Sequence, residues 1–330
     1  SAQLGQLTSS QLAGLSSDQL QALTTRQLAG LGSAMLGSLG TDDLRVLTSE
    51  QFQSLSTARL AGLTDDQLGS LGSEHFQLLT STQLRGLTTQ QLNALATEDL
   101  NTLTSEQFRQ LTSVQIAGLG SDQIAALTSD DLSALTSGQV RAIEVRDLAG
   151  LDSVDLGALQ AAQVAGFTSA QLRALGTDDL PGLTTDAIRA LAATQIAAFA
   201  TNQLSALLSD QLQALTSVQL RALTSVQIAA LETDALNTLL ADQISQLTTA
   251  QIDALTATQV GALDTDSLSA LTTQQVRAIQ TRDLASIDSV DMAALTTAQV
   301  AALTTAQLRA LGTDDIGGIS TAGMAGMSSA

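Results

Sequence analysis

The sequence predicts an all-α fold, an elongated α-solenoid of very short helices with one helix per eight-residue repeat. Three observations predict it. From Thr8 to Met327, a span of 320 residues or 40 octads, positions five and eight of every octad are Leu, Ile, Val, Phe or Met, with no insertion to break the register. Position one is Thr, Ser, Gly or Asp in most octads and is followed three residues later by Gln or Asp, a capping-box arrangement. Position seven is commonly Ala or Gly, small enough for neighbouring backbones to approach. The octad Thr216-Ser217-Val218-Gln219-Leu220-Arg221-Ala222-Leu223 is typical.

On spacing, a single long helix is excluded and a β-solenoid is the weaker choice. In one continuous helix at about 100° per residue, an eight-residue repeat advances about 80° per unit, so Leu12, Leu20, Leu28 and Leu36 share no face. Strands need apolar residues at period two, whereas here they sit three and then five apart. A helix broken once per octad remains. Two aliphatic side chains do not offset the entropy of ordering eight residues, so an octad is stable only when stacked on others.

Within the octad each position has a physical role. The cap register has two solutions: position one as N-cap, or position two as N-cap with position one as the glycine-tolerant C′ of the preceding helix. With position one as cap, the Leu at position eight and the one at position five of the next octad form a hydrophobic staple. Acidic residues gather at positions three and four, as in Asp42 and Asp43, near the positive end of the helix dipole. Nine of the thirteen Arg occupy position six, near the negative end. The core is therefore expected at Leu12, Leu15, Leu220 and Leu223, together with Phe52, Phe76, Phe108, Phe167 and Phe199.

Position four holds many Gln, several Asp and no Glu, although Glu also completes a capping box. Either Gln side chains of neighbouring octads stack as a ladder bonding one another and the backbone, or the pattern descends from a Gln-bearing ancestor.

A longer period overlies the octad. Thr136–Leu183 matches Thr272–Ile319 at 32 of 48 positions, an offset of 136 residues or 17 octads. The chain is thus read as one continuous array, 1–330, with super-repeats 1–135, 136–271 and 272–330. Segmental duplication explains the offset. The functional alternative is that 17 octads return the coil to the same side, which makes Arg146, Asp147, Arg282 and Asp283 candidate assembly contacts.

Composition bounds the biology. The chain has 13 basic and 32 acidic residues, a formal charge of −19, no Cys, Trp or Tyr, one Pro and one His. This excludes a disulfide framework and a thiolate metal site, and thirteen scattered Arg form no basic patch for nucleic acid. The apolar runs are far below membrane-spanning length and no signal peptide opens the chain. The repeat starts and stops without polar capping elements, so a segment of something larger is expected.

No catalytic constellation, phosphate-binding loop or zinc motif is present, and no enzyme activity or cofactor is expected. His75 stands at position four as a substituted cap residue. Asp42, Asp43, Asp178, Asp179, Asp314 and Asp315 are candidate calcium ligands if stacking brings carboxylates together; helix N-terminal charge explains them without metal.

The tandem octads Thr296–Leu303 and Thr304–Leu311 resemble the "LTTAQIAAL" octapeptide tracts of very large secreted or surface proteins of alphaproteobacteria and relatives, often labelled adhesins or haem-utilisation proteins. The resemblance covers essentially the whole chain. It implies repeat architecture and an exported setting, and carries no catalytic residues. A lone His with no Cys or Tyr leaves almost no axial ligand for haem. The expected function is a structural repeat protein of the cell surface, a stalk, filament or sheath whose partner is another copy or a longer parent chain. An adhesin for carbohydrate or abiotic surfaces is the alternative, with ice binding behind it.

Overall fold

A computed structural model describes residues 4–327 and divides the chain into two compact units, Ser1–Phe167 and Thr168–Ala330. The division falls at an octad junction inside the super-repeat that begins at Thr136, not at its start. Each unit is a succession of short helices, from Ser9–Leu12 to Thr321–Gly326 across the chain, with no strand among the described residues.

The backbone settles the cap register. Helices such as Ser217–Ala222 begin at position two, and the N-cap is position one: Thr216 has φ −75° and ψ 160°, and its hydroxyl accepts from the Gln219 N–H. The alternative, with position one as a C′ residue, is excluded, because a left-handed C′ requires positive φ and no described residue has one. Each six-residue helix ends instead on a Leu, Ile or Met at position eight with extended-type backbone, as at Leu223 with φ −61° and ψ 138°. Glycine at position one is then tolerated simply as an N-cap, a site where it costs little.

Three octads depart from the α pattern. Val145–Gly150, Leu180–Gly182 and Asp283–Ser286 are 3-10 segments, and each contains or directly follows an Asp at position four: Asp147, Asp179 or Asp283.

Positions five and eight form the core in both units. Leu12, Leu220, Leu223 and all five Phe are buried, and Leu15, which closes the first octad, is half-buried. Helices touch the helix three octads on, as Ser113–Ala117 does Ser137–Ala142 in the first unit and Ala193–Ile196 does Ser217–Ala222 in the second. Position seven is small for that contact: a Cβ placed on Gly62 would lie 2.6 Å from the Ser33 Cβ, and one on Gly86 2.6 Å from the Thr57 Cβ.

Candidate functional site: the turn-to-turn amide bridge

The side chain at position four joins two octads. In Gln219, Oε1 accepts from the N-cap Thr216 N–H at 2.7 Å and from the Thr216 hydroxyl at 2.9 Å, which closes the capping box. Its Nε2 turns the other way and donates to the carbonyls of Ile188 and Leu191, both at 2.8 Å, which lie 31 and 28 residues earlier. These are positions five and eight of the octad four repeats back. Gln83, Gln107, Gln139, Gln203, Gln251, Gln275 and Gln307 make the same pair of bonds. One amide therefore caps its own helix through its acceptor and ties the preceding turn through its donor. Of the expected ladder, in which Gln side chains bond one another and the backbone, these amides make the bonds to the backbone.

A second set of bonds runs forward. Arg85, Arg173, Arg221 and Arg277, all at position six, donate from Nε to the position-seven carbonyls of Gln110, Ala198, Gln246 and Ala302, in each case 25 residues on. Asn93, Asn101 and Asn237 reach Gly118, Ala126 and Ala262 in the same way. An octad is thus bonded four octads back and three octads on, so one turn of each unit takes between three and four octads.

Substitutions at position four reveal what the site requires. Arg59 keeps the function by donating from Nε to the Leu31 carbonyl at 2.8 Å and from Nη2 to the Ala29 carbonyl. His75 is buried, stacks edge-on against Phe52 with centroids 5.2 Å apart, and holds Nδ1 3.6 Å from a Glu74 carboxylate oxygen. It sits in the core layer of the array.

The acidic candidates serve their own helices. Asp43 and Asp315 each accept from the N-cap N–H, of Gly40 and Gly312, at 2.9 Å. Asp42, Asp178 and Asp314 are exposed, and Asp179 is half-buried at the start of its 3-10 segment. No group of three or more His, Cys, Asp or Glu suited to a metal ion occurs among the described residues. Burial, the largest influence, raises the Asp131 carboxyl above its ordinary value, against hydrogen bonds from Thr128 that lower it. Asp99 is raised by burial and by Glu98, and Asp291 by burial.

Of the candidate assembly residues, Arg146 and Arg282 are exposed, whereas Asp147 and Asp283 are buried. Arg146 pairs with Glu144 at 2.9 Å and with Asp147 at 3.6 Å; Arg282 lies 3.3 Å from Asp283. Any intermolecular contact here therefore runs through the arginines, not the aspartates. The recesses at the surface lie between octads on successive turns; the one bounded by Asn93, Thr97, Ser121 and Asp122 has a volume of about 520 Å³.

The hexapeptides Ala294-Leu295-Thr296-Thr297-Ala298-Gln299 and Ala302-Leu303-Thr304-Thr305-Ala306-Gln307 end at position four of two consecutive octads. A model of the ALTTAQ repeat matches residues 1–33, 25–57, 36–73, 92–129, 148–185, 173–209, 276–313 and 284–321, together more than half of the chain. The chain belongs to the ALTTAQ repeat family. In the ALTTAQ motif the first Thr is the N-cap, and the closing Gln is the residue that caps and bridges. A search of curated proteins returned no match.

Sequence reasoning found this Gln through the missing Glu, but not where its amide goes. The signal was there: only a donor absent from Glu separates the two residues at that position.

Proposed function

We propose that this ALTTAQ array is a non-catalytic structural element of the bacterial cell surface or its exterior, a stalk, filament or sheath extended by self-association. One observation carries the reading: the amide bridge uses only backbone carbonyls and a cap, so it repeats at turn after turn whatever the other side chains are. A contact of that kind is indifferent to length. Arg146 and Arg282, exposed and recurring at the super-repeat offset, are the proposed lateral contacts.

Negative-stain electron microscopy of the purified chain over a concentration series tests this. Filaments or rods that lengthen with concentration support it, and discrete particles of constant size at all concentrations refute it.

An adhesin is the second reading. Val114, Val218, Val226 and Val290 expose 64–71% of their surface at position three, where the fold makes no use of an apolar side chain. Binding to carbohydrate or abiotic surfaces by discrete particles would favour it.

A further inference from the structure

Octads without a Gln at position four occur along the chain, and some are consecutive, among them Asp179 and Ala187. Asp147 and Asp155 occupy position four of two consecutive octads, and Asp283 and Asp291 do so again at the super-repeat offset. A carboxylate accepts hydrogen bonds and does not donate them, so neither pair makes the two crossing bonds that a Gln makes. Asp155 and Asp291 turn one oxygen back to their own N-caps, Asp152 and Asp288, at 3.1 and 3.2 Å. Asp147 and Asp283 are buried with Oδ2 lacking a hydrogen-bond partner, and their octads are 3-10 segments where neighbours are α-helices. In the second unit the gap continues one set of four octads later, at Asp315 and Gly323.

The opposite edge of the same octads is tight. Val145–Gly150 packs on Ser121–Ala125, with a Ser121 hydroxyl donating to Asp147 Oδ1 at 2.6 Å. A Cβ on Gly150 would lie 2.7 Å from the Ala125 Cβ, and one on Gly261 2.6 Å from the Ser286 carbonyl oxygen. Each pair is thus fastened on the three-octad side and lacks the amide bridge on the four-octad side, which is the geometry of a hinge.

We propose that the octad pairs at Asp147/Asp155 and Asp283/Asp291 are built-in compliant joints, where successive turns part on the four-octad side before the amide-bridged turns open. They let the array bend or yield at these octads more readily than where the amide bridge is present. The inference stands whether or not the array self-associates.

Hydrogen exchange of the full chain, read by mass spectrometry, tests it. Amides in 145–158 and 281–294 should exchange at least about tenfold faster than those in 217–230, which carries two bridging Gln. Asp283→Gln together with Asp291→Gln should slow 281–294 to the rate of 217–230 and leave 145–158 unchanged. The converse chain, Gln219→Asp with Gln227→Asp, should create fast exchange at 217–230, which decides the matter if the first variant does not fold. Equal rates in the natural chain overturn the proposal. So do fast rates at 281–294 that persist in the folded double-Gln variant, since the 3-10 backbone alone then accounts for them.

Discussion

Gln51 Nε2 lies 2.9 Å from the carbonyl oxygen of Leu20, a residue 31 positions earlier, and 2.6 Å from that of Leu23. The same side chain accepts from the Thr48 N–H at 2.9 Å. Glu would preserve the cap and lose the bridge, leaving a carboxylate against two carbonyl oxygens. That sets Glu apart from Gln at position four; the shorter Asp found there, such as Asp43 and Asp315, gives up the bridge as well and keeps the cap.

The bridge can be separated from the cap. Gln219→Glu should destabilise by about 3 kcal/mol or more, because two bonds to the Ile188 and Leu191 carbonyls vanish and a charge is buried at the contact. Thr216→Ala removes only the cap hydroxyl, at about 1 kcal/mol. Urea unfolding of the two variants measures the difference. Equal costs would mean that the Nε2 bonds contribute nothing.

The core and the arginine bonds differ in depth. Leu220 is fully buried, and Leu220→Asp should cost several kcal/mol, on the order of 4, by placing an unpaired charge in the core. Arg221 bonds Gln246 twice, at 3.0 and 2.7 Å, but on the exposed surface, so Arg221→Ala should cost about 1 kcal/mol or less. Thermal melts of the two chains check the order, which must not be reversed.

Glycine at position seven and glycine at position six should respond with opposite signs. Alanine exceeds glycine in helix propensity by about 1 kcal/mol. At Gly69 nothing lies within 4 Å of an added Cβ, so Gly69→Ala should stabilise. At Gly86 the Cβ would come 2.6 Å from both Cβ and Cγ2 of Thr57, and the strain of about 1–3 kcal/mol should cancel or outweigh the gain. Stabilisation of similar size at both sites would contradict the close packing.

Stability should rise as the solution is acidified from neutral towards about pH 4. Asp131, Asp99 and Asp291 are held above the ordinary carboxyl value of 3.8, chiefly by burial, so just above that pH the folded chain binds protons that the unfolded chain has released. Their effect on stability is favourable at low pH and is lost as pH rises through the raised values. The charge of −19 adds repulsion in the same direction. Asp131→Asn should flatten part of the slope of melting temperature against pH; an unchanged slope would remove that carboxyl as a source.

Much of the architecture is local and therefore legible in the chain. The cap, the helix start and the buried pair at positions five and eight depend on residues within one octad, so Thr216, Gln219, Leu220 and Leu223 announce them by type and spacing alone. The cap register needed the backbone, because two readings differing by one residue satisfy the same sequence and only the absence of positive φ separates them. The partners of position four needed it too. Gln219 and the carbonyls of Ile188 and Leu191 are brought together by the number of octads per turn, and an eight-residue period does not contain that number. The burial of Asp147 and Asp283 follows from the same geometry: in sequence they read as surface charges beside arginines, and the packing of Val145–Gly150 on Ser121–Ala125 turns the first of them inward. The sequence by itself determined a helix per octad and the residues that line the core, because those interactions close within a few residues. Only the tertiary structure decided which octads meet, because the pitch of the coil arises from side-chain packing between residues some 25 to 31 positions apart.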